Sequence, residues 1–106
     1  MKSALLAAGF LFVISGCASH YHKIKGDTLN LYLKEPHADR VILSCSLDGF
    51  EPHEARQENG RWIVSLPAAL PFQYYYVLDE KIFIPSCRMK QTDDFGSENC
   101  IYDPDL

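Results

Sequence analysis

The chain divides into three stretches by its hydrophobic pattern. Ala4 to Ile14 is an apolar run, Ala18 to Gly26 shows no period, and from Thr28 onward apolar and polar residues alternate. Alternation with a period of two marks a strand with one buried face, because successive side chains leave a sheet on opposite sides. Leu29, Leu31 and Leu33 form one inward row, and Val41, Leu43, Cys45 and Leu47 form a second. Trp62, Val64 and Leu66 form a third, and Phe72, Tyr74, Tyr76 and Leu78 a fourth. The breaks carry turn chemistry: Glu35-Pro36-His37-Ala38-Asp39, Asp48-Gly49, Pro67 with Pro71, and Asn59-Gly60, which accepts the positive φ angles of a tight hairpin. Lys81 to Ile84 is a short strand closed by Pro85, and a polar loop from Ser86 to Glu98 leads to a last strand, Asn99 to Tyr102. Helical spacing is nowhere sustained. About seven short strands with turns roughly every ten residues predict an all-β sandwich.

The first stretch is read as an export signal rather than a fold element. Lys2 supplies the positive end, and the apolar run is shorter than the ~20 residues that span a bilayer as a helix. Ile14-Ser15-Gly16-Cys17 resembles the bacterial lipobox, in which the cysteine is acylated and becomes the new N-terminus. The resemblance implies a lipid anchor on Cys17, with residues 1–16 as signal peptide, 17–26 as lipidated cysteine and tether, and 27–106 as the domain. Two or three acyl chains hold stably where one holds marginally. In lipoproteins a residue other than Asp after the cysteine implies sorting to the outer membrane, where the cell has one, and Ala18 fits.

Charge narrows the partners. The whole chain has 10 Lys and Arg against 14 Asp and Glu, a formal charge of -4, and loss of Lys2 with the signal makes the mature 90 residues -5. With no basic cluster to neutralise phosphates, nucleic acid is excluded as a partner class. Beyond Cys17, the cysteines are Cys45, Cys87 and Cys100, without the paired spacing of a zinc ribbon. Outside the cytoplasm two of them oxidise. Cys87 and Cys100 bracket one polar loop while Cys45 lies in an inward row, so Cys87–Cys100 is the expected disulfide and Cys45–Cys100 the alternative.

Three ordered segments resemble the early-set immunoglobulin-like domain of the family 48 carbohydrate-binding modules, which include glycogen-recognition domains. They are Leu29 to Leu33 with the turn at Pro36, Val41 to Phe50, and Asn59-Gly60-Arg61-Trp62. Gln73 to Asp79, Pro85, and Phe95-Gly96-Ser97-Glu98-Asn99 continue the likeness over nearly the whole mature domain. The resemblance implies an early-set fold and, for α-glucan binding, stacking tryptophans with a lysine, a hydroxyl and an asparagine. Those positions fall on Phe50, on Tyr75 for the lysine, on Ile82 or Phe83 for the second tryptophan, and on Phe95, Ser97 and Asn99 in the last loop. The lysine is therefore absent, and the glycine after Asp79 is Glu80. Phe50, Tyr75, Phe83, Phe95, Ser97 and Asn99 are the candidate ligand-binding face.

No other chemistry competes. His20 and His22 fall on the tether and His37 and His53 in separate turns, so solvated histidines are expected, with no metal or other cofactor. No serine or cysteine sits in a nucleophile elbow, and Asp93, Asp94 and Glu98 occupy one loop rather than two sides of a cleft. Two function classes remain for a non-catalytic, membrane-anchored domain of the cell envelope. The favoured one contacts an envelope protein; the alternative binds an α-glucan.

Overall fold

The computed structural model describes residues 19–92 and 94–106, so the signal segment and Cys17 lie outside the described residues. Ten strands build two antiparallel sheets. The first sheet has the order β1 (His20–Lys25), β2 (Thr28–Leu33), β6 (Arg61–Pro67), β5 (Arg56–Glu58). The second runs β4 (Pro52–Glu54), β3 (Val41–Cys45), β7 (Phe72–Leu78), β10 (Glu98–Tyr102), β9 (Lys90–Thr92), and β8 (Lys81–Phe83) also pairs with β7. The result is an all-β, immunoglobulin-like sandwich.

The alternating rows set the register. Leu33 pairs with Trp62, Leu31 with Val64 and Leu29 with Leu66, so each rung of the first sheet sends two large apolar side chains inward together. Val41, Leu43 and Cys45 of β3, Phe72, Tyr74 and Tyr76 of β7, and Cys100 and Tyr102 of β10 meet them to close one core. Full burial of such a side chain stabilises the fold by about 1.5–3 kcal/mol. Trp62 is core, as its row requires, and its Nε1 donates to the Glu35 carbonyl at 3.2 Å. At Asn59-Gly60 both residues take positive φ, 51° and 78°, and Glu58 pairs with Arg61 across the two-residue turn.

Four features differ from the pattern. Residues 20–25, expected as tether, form edge strand β1, with the full ladder from His20↔Leu33 to Lys25↔Thr28. Three further strands, β4, β5 and β9, are three residues each, and together with β1 they bring the count to ten where about seven were expected. Leu47 leaves the inward row: the chain turns into a 3-10 turn at Ser46–Asp48, and Leu47 is exposed. His20 is not solvated but packs edge-on against Tyr76.

Cys87 and Cys100 are disulfide-bonded, with Cα atoms 5.9 Å apart, and Cys45 is a buried free thiol. Cys45 and Cys100 both lie opposite Tyr74, on either side of β7. Two strand spacings of ~4.8 Å separate them by about 10 Å, beyond the ~7 Å that a disulfide spans.

Candidate functional site

The outer face of the second sheet gathers Phe50, Tyr75 and Asn99, three of the six candidate residues, and the register shows how. Tyr74 and Tyr76 point inward, so Tyr75 between them points out, opposite Ser44. On the next outward rung Val77 pairs with Ile42 on one side and Ile82 on the other, three β-branched residues in a line across β3, β7 and β8. On the far side of Tyr75, Gln73 lies opposite Ile101, and Asn99 lies opposite Gln91. Asn99 Nδ2 donates to Gln73 Oε1 at 3.2 Å, and Gln73 Nε2 donates to Gln91 Oε1 at 3.1 Å. The face therefore grades from an aliphatic end through an aromatic centre to an amide end.

Phe50 reaches this face from the connection between β3 and β4. Gly49 and Phe50 both adopt left-handed backbone, φ 74° and 65°, and the Phe50 amide donates to the Cys45 carbonyl at 2.8 Å. Left-handed φ costs a residue with a side chain about 1–2 kcal/mol. Its ring lies on Tyr75, centroids 5.8 Å apart and planes 22° from parallel, and it remains 37% exposed. An offset aromatic pair of this kind returns about 0.5–1.5 kcal/mol.

The other candidates separate. Phe83 pairs with Tyr76, so its ring turns inward and packs against the core; the outward position on β8 belongs to Ile82, 71% exposed. Asn99 is 8% exposed and engaged with Gln73, so it buttresses the face instead of presenting an amide to a ligand. Phe95, 93% exposed, and the exposed Ser97 sit on the β9–β10 loop. Cys17 lies outside the described residues.

Two features escaped the sequence. A cavity of about 300 Å³ is lined by His20 and His22 of β1, Tyr74, Arg88, Tyr102 and the C-terminal Leu106. His20 Nε2 lies 3.3 Å from the Tyr74 hydroxyl. Burial foremost, with the charge of His22 second, pushes His20 down from 6.5 to about 4, and burial raises the Tyr74 hydroxyl. The second feature is a cluster at the sheet edge. Cys45 Sγ, an Asp48 carboxylate oxygen and a His53 ring nitrogen all lie within 4.8 Å of one another. Asp48 Oδ2 is 2.5 Å from His53 Nε2, and the hydrogen bond to His53 holds the Asp48 carboxyl below its ordinary range.

No protein-family model matches the chain, and no curated protein matches it. No helix among the described residues is long and apolar enough to cross a membrane.

Proposed function

We propose that the chain is a non-catalytic lipoprotein of the cell envelope, anchored through Cys17, whose domain docks an envelope protein on the outer face of its second sheet. The observation that supports docking is the Phe50–Tyr75 stack: a non-glycine residue is held in left-handed backbone to lay its ring on an outward tyrosine, beside the outward rung of partly buried Ile42 and Val77 and exposed Ile82. Contiguous exposed apolar surface rimmed by polar groups marks interaction sites. The α-glucan alternative is less well supported, because Phe83 turns inward, Asn99 is buried, and the Phe50 and Tyr75 rings stack on each other. Because β1 begins at His20, only Ala18 and Ser19 lie between it and an acylated Cys17, so β1 would begin within about 10 Å of the membrane surface.

A photo-crosslinker placed at Ile82 tests the reading against one at Ser65, which is on the outer face of the other sheet. Crosslinking to a defined envelope protein from position 82 and not 65, lost on Tyr75→Ala with the melting temperature unchanged, is expected. Equal crosslinking from both faces, or maltoheptaose binding that Tyr75→Ala abolishes, overturns it. The anchor is tested separately: Cys17→Ser should abolish acyl labelling and release the chain from the membrane fraction.

A further inference from the structure

We infer that Cys45, Asp48 and His53 form a three-ligand site for a borderline divalent cation of the Zn(II) type, built into the connection that also carries Phe50. This stands independently of the docking reading. The three residues belong to one nine-residue stretch, and they converge because the chain reverses through left-handed Gly49 and Phe50. The reversal brings Asp48 back to β4, where His53 pairs with Leu43, the inward neighbour of Cys45 on β3.

The donor set fits the ion. Thiolate, imidazole and carboxylate are the ligand types that Zn(II) takes, with three protein ligands and an open fourth position in sites that bind a further molecule. At Zn–S of ~2.3 Å and Zn–N or Zn–O of ~2.0 Å, tetrahedral geometry places donors roughly 3.3–3.6 Å apart. The present separations, all within 4.8 Å, require a contraction of about 1 Å at most at the thiol and an opening of the 2.5 Å Asp48–His53 contact by about 1 Å. The ion enters between Asp48 Oδ2 and His53 Nε2, binding the neutral imidazole whose remaining N–H sits on Nδ1; the Cys45 thiol proton, and any second imidazole proton, pass to water. No electron is transferred.

The surroundings orient the ligands. Asp48 Oδ1 accepts from the Glu51 amide at 3.2 Å, leaving Oδ2 directed at His53. Ligands held by outer hydrogen bonds in this way bind metals more tightly than free ones. Asp48 and His53 are each about one-third exposed, 36% and 35% at the side chain, while Cys45 is fully buried, so the ion enters from the solvent side with the thiol as its inner ligand. Occupancy would also pin the Ser46–Gly49 turn and with it the ring of Phe50 over Tyr75.

The test is titration of the mature, disulfide-bonded protein with Co(II) and then Zn(II). Cys45 is the one free thiol among the described residues, so the expected signal is a thiolate-to-cobalt charge-transfer band that Zn(II) quenches. His53→Gln and Asp48→Asn, both at partly exposed positions, should weaken the band's apparent affinity by about tenfold or more while the fold is retained. Zn(II) should raise the melting temperature of the wild type and not of His53→Gln. Absence of the band at saturating Co(II), its persistence in Cys45→Ala, or undiminished affinity in both His53→Gln and Asp48→Asn overturns the assignment. If Cys45→Ala fails to fold, the two exposed variants decide alone.

Discussion

Acid should loosen this domain well above the range in which carboxylates titrate, and one histidine should be responsible. His20 packs with ring centroids 5.7 Å from Tyr74 and 5.6 Å from Tyr76, with Tyr74 OH at 3.3 Å. Burial, and then the charge of His22, lowers its pKa from 6.5 to about 4. A histidine whose folded-state value lies below the unfolded one is kept neutral by the fold, so the unfolded chain takes up the proton first. Its contribution is complete above 6.5 and is lost as the pH falls toward 4. Integrating the two titrations gives a loss of about 1.4 kcal/mol at pH 5.5 and about 2 kcal/mol at pH 5.0, relative to pH 7.5. For a domain of this size that corresponds to a fall in melting temperature of roughly 8–16 °C at pH 5.0.

The assay is a series of thermal melts followed by circular dichroism between pH 7.5 and 5.0, on the wild type and on His20→Phe, which keeps a ring among the tyrosines but cannot titrate. The two carboxyls whose pKa values the fold lowers, Asp48 through its hydrogen bond to His53 and Glu54 through its hydrogen bond to Arg40, start from 3.8 and 4.5. Their contributions are complete above those values and are lost only below them, so the window from 5 to 7 is left to histidine. A flat wild-type profile, or an equal slope in His20→Phe, would refute the reasoning. Because His20 opens β1, its protonation should first release that edge strand, seen as faster amide exchange in β1 than in β7.

Three further outcomes are expected. Reducing Cys87–Cys100 reopens a loop with a sequence separation of 13 and should cost about 3 kcal/mol in a urea titration, with Cys45 resisting alkylation until the protein unfolds. Tyr76→Phe removes a buried hydroxyl that has no hydrogen-bond partner among the described residues, so it should leave stability unchanged or raise it by about 1 kcal/mol; a loss above that would show the hydroxyl to be paired. Glu80→Gly relieves a left-handed backbone, φ 73°, in the β7–β8 turn and should stabilise by about 0.5–1 kcal/mol, measured as a higher melting temperature.

Where side chains choose between water and core, the pattern of residues was enough to read the fold. Leu29, Leu31 and Leu33, and equally Trp62, Val64 and Leu66, are buried because a period of two has one way to face a core. β1, β4, β5 and β9 escaped for the opposite reason: their side chains are mostly partly or fully exposed, and what makes them strands is backbone pairing to a neighbour, which leaves no hydrophobic period. Phe83 and Ile82 show how finely a face is set. Leu78 pairs with Lys81 across the two-residue turn Asp79-Glu80, which turns Phe83 inward with Tyr76; a register one residue different would exchange the two. That turn uses positive φ at two residues without a glycine, so its type was not legible from composition, unlike Asn59-Gly60.

Apart from the Asp79-Glu80 turn, departures from local rules gather in the stretch from Cys45 to His53. Leu47 is an apolar residue put outside, Phe50 is an aromatic residue in backbone that favours glycine, and Cys45 is a thiol kept free in an oxidised domain. Each of these lowers stability or goes unexplained when taken alone. Together they have one geometric effect: the connection leaves the core side of the sheet at Cys45, sets Asp48 against His53 at 2.5 Å, and lays Phe50 on Tyr75. Backbone outliers and misplaced apolar residues that gather in one segment point to a role for its shape. The same short connection therefore bears both the proposed cation ligands and half of the aromatic stack, and metal binding there should alter partner binding at Tyr75 through Phe50 alone. Phe50→Ala would separate them: the cation should still bind, and its effect on the partner should vanish.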